Sequence, residues 1–151
     1  MSDIQIWVII DLGGLKLKEF VDIKKLARID EDRGSIVVVE GNNVPFIVKR
    51  TFIIYHNDGN RGNHANLRTK ELIVCLKGYV KIFALGNGFS QEFELAEPDT
   101  AIYVPAKTWL ELKDIERGSI ILVLASEKYE SGDYIRDFDQ FNSILKNGEG
   151  D

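Results

Sequence analysis

The stretch ELIVCLKGYVKIF, residues 71–83, decides the fold of this sequence. Its first half, Leu72–Leu76, is an apolar run of strand length, and Lys77-Gly78 is a turn signal. After the turn, apolar and polar side chains alternate over Tyr79–Phe83, as expected when one face packs inward and the other meets solvent or a ligand. The stretch therefore predicts two β-strands joined by a tight turn.

Similar strand-length runs recur along the chain, separated by Gly- and Asn-rich turns such as Gly41-Asn42-Asn43 and Gly86-Asn87-Gly88. This spacing predicts an all-β sandwich or barrel. Near the end, Phe138, Phe141 and Leu145 fall at helical spacing and predict a short helix over Asp137–Lys146 that packs on the barrel. The predicted strands are Ile4–Ile10, Ser35–Glu40, Phe46–Tyr55, Glu71–Leu76, Tyr79–Leu85, Phe89–Leu95, Thr100–Pro105, Trp109–Lys113 and Ser119–Ala125.

Composition limits what such a domain can do. The chain has 151 residues, 44% of them hydrophobic, which predicts one domain over residues 1–151 with a frayed tail at 147–151. A net charge of -5 argues against non-specific binding to nucleic acid or to an anionic membrane. The single cysteine, Cys75, excludes an internal disulfide and is expected to be a small buried hydrophobe. The run Ile4–Ile10 lacks a basic leader and is too short for a membrane span, so we expect a cytoplasmic protein.

Two short motifs carry the chemistry. The first is His64-Ala65-Asn66 with Glu71 and Gly78 after it, and the second is PAKTWLE at 105–111. Their spacing resembles the two cupin motifs. Further blocks resemble the dTDP-4-keto-6-deoxyglucose 3,4-ketoisomerase family over about residues 21–141: IVKR at 47–50, RGNHA at 61–65, LIVCLKG at 72–78, LVLAS at 122–126 and YESGDYIRDF at 129–138. The most distinctive part is DYIR, residues 133–136, within the last block.

This resemblance implies a cupin jelly roll, a homodimer, no cofactor and no metal. It also implies conversion of a dTDP-linked 4-keto sugar to its 3-keto isomer, in making deoxysugars for surface polysaccharide. Members of the family typically carry His-Ala-His, where this chain has Asn66 as the third residue, and many carry Trp-His-Glu, where it has Leu110. Metal-dependent cupin enzymes usually offer three imidazoles and a carboxylate, and of those positions only His64 and Glu71 are retained. The sequence therefore predicts no transition metal.

The reaction suggests roles for the residues of the first motif. Isomerisation takes a proton from C3 of the sugar, passes through an enediolate and returns a proton to C4. His64 has the near-neutral pKa that such a step needs and is the predicted base. Asn66, two residues on and on the same strand face, is predicted to donate an amide hydrogen bond to the developing oxyanion. The alternative is that His64 is a hydrogen-bonded structural residue.

Arginines are the best candidates for holding the diphosphate, because a guanidinium pairs bidentately with phosphate oxygens. Arg33, Arg50 and Arg61 stand at positions that match the family. We expect Arg50 and Glu71 to point into one cavity with His64 and Asn66. Each arginine has the alternative of being a solvated surface charge.

Further candidates come from the second half of the chain. Tyr103 and Trp109 are predicted to wall the pocket, with an ordinary core position as the alternative. Glu111 is predicted to hold a sugar hydroxyl or orient His64, unless it faces solvent. Arg136 is expected to lock the C-terminal segment by an ion pair, and His56 is expected in a solvated loop.

Three functions stay open on the sequence. The first is the 3,4-ketoisomerase. The second is a non-catalytic cupin that binds a sugar nucleotide, and the third is an epimerase-like cupin that acts on a related keto-sugar. A homodimer is also predicted from the residues, because the apolar strand Ile4–Ile10 would be a hazardous exposed edge on a monomer.

Overall fold

The computed structural model describes residues 19–148, which form twelve β-strands and one α-helix. The predicted all-β architecture with a short C-terminal helix is confirmed. The elements are β1 (Asp22–Lys25), β2 (Ala27–Glu31), β3 (Gly34–Val38), β4 (Arg50–Ile54), β5 (Arg61–Asn66), β6 (Glu71–Lys77), β7 (Val80–Gly86), β8 (Phe89–Leu95), β9 (Thr100–Val104), β10 (Trp109–Lys113), β11 (Ile120–Ala125), β12 (Tyr134–Ile135) and α1 (Phe138–Asn147).

Ten of these strands form two antiparallel five-stranded sheets. The first has the order β1-β9-β6-β11-β4 and the second the order β12-β5-β10-β7-β8, while β2 and β3 form a separate hairpin. The strands of the stretch 71–83 therefore lie in different sheets, and the turn at Gly78 carries the chain from one to the other. Gly78 has a φ of +90°, and an added Cβ would come within 2.2 Å of the Ser119 hydroxyl oxygen, so this turn requires glycine.

The main core lies between the sheets, where side chains such as Ile73, Ile82 and Ile121 are fully buried. Both outer faces are also covered. Leu72 and Tyr103, on the outer face of the first sheet, pack with Val37 and its neighbours from the hairpin region. On the outer face of the second sheet, α1 packs against Trp109, Ala65 and Ile135. The long apolar run of β6 is explained by this arrangement, because the strand is buried on both faces.

The predicted elements match the observed ones closely where hydrophobic alternation was strong. The helix begins after Asp137, whose carboxylate caps it by accepting a hydrogen bond from the Gln140 backbone N–H at 2.7 Å. The predicted strand Phe46–Tyr55 is shorter, at Arg50–Ile54, and β1, β2, β5 and β12 are additional. The predicted strand Ile4–Ile10 lies outside the described residues, as does most of the predicted tail. Within residues 19–148, no helix is long and apolar enough to cross a membrane.

Candidate active site

A cavity of about 360 Å³ opens between the two sheets. Strands from both sheets line it, so residues distant in sequence meet there. His64 and Glu71, the two titratable residues of the first motif, both line the cavity. The lining residues are Phe52, Ile53, Ile54, Tyr55, Arg61, Gly62, His64, Glu71, Ile73, Leu110, Leu112, Val123, Tyr129, Tyr134 and Arg136.

The backbone of β5 places His64 on the cavity wall. Gly62 has a φ of +85°, and an added Cβ would lie 2.7 Å from the Leu110 carbonyl oxygen of β10, where the pairing of the two strands is irregular. Glycine is therefore needed for β5 to approach β10 this closely. The His64 ring packs against Tyr134, with centroids 5.1 Å apart. Burial lowers the pKa of His64, although a hydrogen bond to the Gly62 backbone acts in the opposite direction. The imidazole is consequently neutral at pH 7 and able to accept a proton.

Glu71, the first residue of β6, is 4% exposed. Its Oε1 accepts a hydrogen bond of 3.2 Å from the Asn66 side-chain amide. Burial raises the pKa of Glu71 to about 7, against the lowering effects of the Asn66 bond and of the nearby Arg50 charge. The carboxyl group is thus close to half-protonated at neutral pH. Asn66 is buried and, contrary to expectation, is not among the residues that line the cavity; its Oδ1 has no hydrogen-bond partner among the described residues.

Arg50, at the start of β4, is a second buried charged group beside Glu71. Its Nε and Nη2 atoms are buried and have no hydrogen-bond partner in the described part of the chain. The guanidinium lies over the rings of Phe52, at 5.4 Å, and Tyr129, at 5.7 Å, both of which line the cavity. Unpaired buried N–H groups are costly, so this arrangement favours an anionic partner.

Arg50 itself is not among the lining residues, whereas two other arginines, Arg61 and Arg136, line the cavity and are exposed to solvent. Arg61 donates a hydrogen bond of 3.2 Å to the Asn57 side-chain oxygen. Arg136, predicted to lock the C-terminal segment by an ion pair, instead lies over the Tyr134 ring, with its guanidinium carbon 5.2 Å from the ring centroid. Its charge thus faces the site, where it also lowers the pKa of His64.

The C-terminal block reaches the cavity through its own set of contacts. Strand β12 pairs with β5, so Tyr134 lies opposite Asn66. Just before it, the buried Asp133 carboxylate accepts hydrogen bonds from the Arg68 backbone N–H, at 2.7 Å, and from the Thr69 hydroxyl. Sequence reasoning missed Tyr129 and Tyr134 as site residues. For Tyr134 the available signal was DYIR, residues 133–136, the most distinctive part of the family resemblance, in which Tyr134 and Arg136 alternate with the buried Ile135.

Four of the predicted binding residues lie away from the cavity, and two of these are on β10. On this strand Leu110 and Leu112 face the cavity, so alternation directs Trp109 and Glu111 to the opposite face. Trp109 packs under α1, with ring centroids 5.1 Å from Phe138 and 5.6 Å from Phe141. Glu111 accepts hydrogen bonds from the Trp109 indole N–H, at 3.1 Å, and forms an ion pair with Lys113 at 2.9 Å.

Tyr103 and Arg33 are the other two. Tyr103 belongs to the outer face of the first sheet, where its hydroxyl donates to the Glu19 carboxylate at 2.7 Å. Arg33 lies at the tip of the β2–β3 hairpin, with its side chain 89% exposed and 3.0 Å from the Glu31 carboxylate. Tyr103 is therefore a packed aromatic residue and Arg33 a solvated charge, as the alternatives to ligand binding had it. His56 is in an exposed loop, as expected.

No three side chains of His, Cys, Asp or Glu within residues 19–148 come together as a cluster that could hold a metal ion. The chemistry available to the cavity from its own residues is therefore acid–base chemistry beside a positively charged region. Burial lowers the pKa of His64 and raises that of Glu71 to about 7, and Arg61 and Arg136 supply the positive charge.

Known proteins that resemble this chain in sequence and in fold are sugar 3,4-ketoisomerases. A TDP-4-oxo-6-deoxy-α-D-glucose 3,4-oxoisomerase from Aneurinibacillus thermoaerophilus is 35% identical over 121 residues, which cover 78% of this chain and 87% of that protein. The crystal structure of QdtA, a sugar 3,4-ketoisomerase from Thermoanaerobacterium thermosaccharolyticum in complex with TDP, superposes with a TM-score of 0.80 at 32% identity, covering 85% of this chain and 96% of the other.

A third relative is WlaRA, a TDP-fucose 3,4-ketoisomerase from Campylobacter jejuni, with a TM-score of 0.78 and 28% identity over 84% of this chain and 96% of that one. These structures confirm the predicted cupin jelly roll. The family model described as "FdtA: WxcM-like, C-terminal" matches residues 19–146, nearly all of the described part of the chain. The chain therefore belongs to the WxcM-like, C-terminal family, together with these sugar 3,4-ketoisomerases.

Proposed function

We propose that this chain is a TDP-sugar 3,4-ketoisomerase, which converts a TDP-4-keto-6-deoxyhexose to its 3-keto isomer through an enediolate (TDP and dTDP being the same nucleotide). The observation that carries this proposal is His64, a half-buried imidazole with a lowered pKa on the wall of a cavity that arginines make positive. Relatives with 28–35% identity are named for this reaction. From the family resemblance we also propose that the product serves deoxysugar biosynthesis for surface polysaccharide.

His64 is the proposed base for the carbon-bound proton. A base that removes a proton beside a carbonyl must be unprotonated at the working pH, and burial keeps this imidazole so. After it takes the proton from C3, the same imidazolium can return a proton to C4. The Tyr134 ring restricts the orientation of the imidazole, which keeps the transfer distance short.

The diphosphate is proposed to bind near Arg61 and Arg136, whose guanidinium groups line the cavity and are matched to phosphate oxygens. Arg50, with two buried N–H groups unpaired within the described residues, is proposed to stabilise negative charge deeper in the site. TDP is bound in the solved QdtA complex. Because sugar nucleotides are made inside the cell, we also propose a cytoplasmic location, and we retain the homodimer and the absence of a cofactor as predictions.

A second candidate, a non-catalytic cupin that binds the same sugar nucleotide, is favoured by Asn66 and Leu110, which stand where many family members carry histidine. One experiment separates the two functions. The protein is incubated with TDP-4-keto-6-deoxyglucose in deuterated water, and deuterium is followed by NMR, with His64→Asn as the matched variant. An isomerase gives the 3-keto product, which is labelled at C4 to the extent that the proton on His64 exchanges with solvent. Binding of TDP with neither the 3-keto product nor exchange at either carbon would leave the binding function, and no TDP binding would remove both.

A further inference from the structure

The proposed reaction moves two protons, and His64 accounts for one of them. In the substrate C3 carries a hydrogen and a hydroxyl group while C4 is a ketone, and in the product these states are exchanged. One proton therefore passes from C3 to C4, and a second passes from the oxygen on C3 to the oxygen on C4. A site that performs both transfers needs a group for the oxygen-bound proton.

We propose that Glu71 is the second acid–base group of this site and carries the oxygen-bound proton from O3 to O4 while His64 moves the carbon-bound proton. This inference rests on the proposed function. Glu71 qualifies by position, because its carboxyl group lines the same cavity as His64 and is shielded from bulk water. It is also a conventional proton carrier, which the asparagine at position 66 is not.

The proton balance closes with these two groups. His64 takes the C3 proton, the C3–H electrons form the C3=C4 bond, and the former carbonyl pair at O4 takes the proton of the Glu71 carboxylic acid, giving an enediol. The Glu71 carboxylate then removes the O3 proton, the O3–H electrons form the C3 carbonyl, and the C3=C4 pair takes the proton of the His64 imidazolium at C4. Both side chains end in their starting states, and no oxidant or reductant is required.

Asn66 is suited to position Glu71 in both protonation states. Its N–H donates to Oε1 of the carboxylate at 3.2 Å, and rotation of the amide by 180° would bring Oδ1, which lacks a partner among the described residues, to the same place. There the oxygen would accept a hydrogen bond from the carboxylic acid. An imidazole in this position would add a third titrating group, whereas the amide leaves the proton on Glu71.

The electrostatic surroundings support a carboxyl group that changes protonation state at neutral pH. Arg50 on β4 lowers the pKa of Glu71, and Asp133, before β12, raises it. His64 on β5 is neutral at pH 7 and adds no charge of its own in the resting state. Burial dominates these influences and raises the pKa of Glu71 to about 7. The resting site can thus hold a neutral base and a neutral acid together, as the first step requires.

The test is the pH dependence of kcat/KM for TDP-4-keto-6-deoxyglucose in the wild type and Glu71→Gln, with Glu92→Gln on the exposed face of β8 as the control. The wild type should lose activity above about pH 7 as Glu71 deprotonates. Glu71→Gln should lower kcat by about 10²- to 10⁴-fold, keep TDP affinity within a few fold, and show no alkaline decline in its remaining activity. Glu92→Gln should match the wild type.

A second variant, Asn66→Ala, removes a hydrogen bond that lowers the pKa of Glu71 and should move the alkaline decline to higher pH. If Glu71→Gln does not fold, this variant provides the test. An alkaline decline at the same pH as in the wild type would then overturn the inference. Wild-type kcat in Glu71→Gln, or an alkaline decline that persists in this variant, would also overturn it while leaving the ketoisomerase intact. A wild-type protein that neither isomerises the sugar nor exchanges its C3 proton would overturn the proposed function itself.

Discussion

Replacing Glu71 with glutamine should remove a contribution that makes the stability of this protein fall as pH rises. Burial raises the pKa of this carboxyl from its ordinary value of 4.5 to about 7 in the folded chain. The folded state therefore binds more protons than the unfolded state between these two pH values, and the free energy of unfolding falls as pH rises through that window. Glutamine has the same shape, retains an oxygen for the Asn66 amide and does not titrate.

The size of the effect follows from the shift. Each pKa unit corresponds to about 1.4 kcal/mol, so a rise from 4.5 to about 7 costs the wild type about 3 kcal/mol by pH 8 relative to pH 4. Glu71→Gln escapes this cost. The stability of the variant relative to the wild type should therefore grow steadily from pH 4.5 to 7 and level off above.

Urea unfolding of both proteins at intervals from pH 4 to 8 measures this difference directly. The comparison cancels other titrating groups, such as His64, whose lowered pKa makes the folded state gain stability as pH rises. A difference between the two proteins that stays constant with pH would show that the carboxyl is ionised in the folded state with an ordinary pKa. The reasoning about its burial would then be refuted, whatever the enzyme assays give.

Four further outcomes are expected. His64→Asn should lower kcat by about 10²- to 10⁴-fold and leave the Kd for TDP within a few fold, as measured by steady-state kinetics and calorimetry; an equal loss of affinity would mean that the imidazole is structural. Arg61→Ala should weaken TDP binding by about 1.5–3 kcal/mol, the scale of a hydrogen bond to a charged group, and unchanged binding in calorimetry would place the diphosphate elsewhere. Phe141→Ala removes a ring that is fully buried between α1 and the second sheet, so the free energy of unfolding in urea should fall by about 3–5 kcal/mol; a loss under 1 kcal/mol would show that the helix unfolds independently. Light scattering at micromolar concentration should give the mass of a dimer, and a monomer would contradict that prediction.

Strong alternation and turn chemistry made most of the fold predictable. The strands on either side of Gly78 and the capped helix after Asp137 are local features, fixed by side-chain period and by residues suited to turns and caps. Strands β1, β2, β5 and β12 were missed, because β2 is largely charged and exposed, β5 (RGNHAN) has no apolar run and β12 is two residues long. Such strands are defined by their partners rather than by their own composition.

The site residues that were predicted correctly come from a single sequence motif. His64 and Glu71 belong to one motif and meet on one cavity wall. Trp109 and Glu111 were assigned to the pocket because polar and aromatic groups bind sugars, but β10 is covered on both faces and its leucines take the inner one. When both faces of a strand are buried, alternation alone does not say which one meets the ligand. Tyr129, in the loop before β12, is placed by long-range contacts that no local pattern reveals.

The anchoring of the C-terminal block also has a consequence for synthesis of the protein. Thr69 and Asp133, which hold this block against the end of β5, are 64 positions apart in the chain. Tyr134 and Arg136, on the cavity wall, follow the second of them. During translation, β5 and β6 leave the ribosome long before β12 is synthesised. The cavity therefore stays open on one side until residues 133–136 emerge. A nascent or truncated chain that lacks this block would have His64 and Glu71 but no closed site to protect a reactive enediol from water.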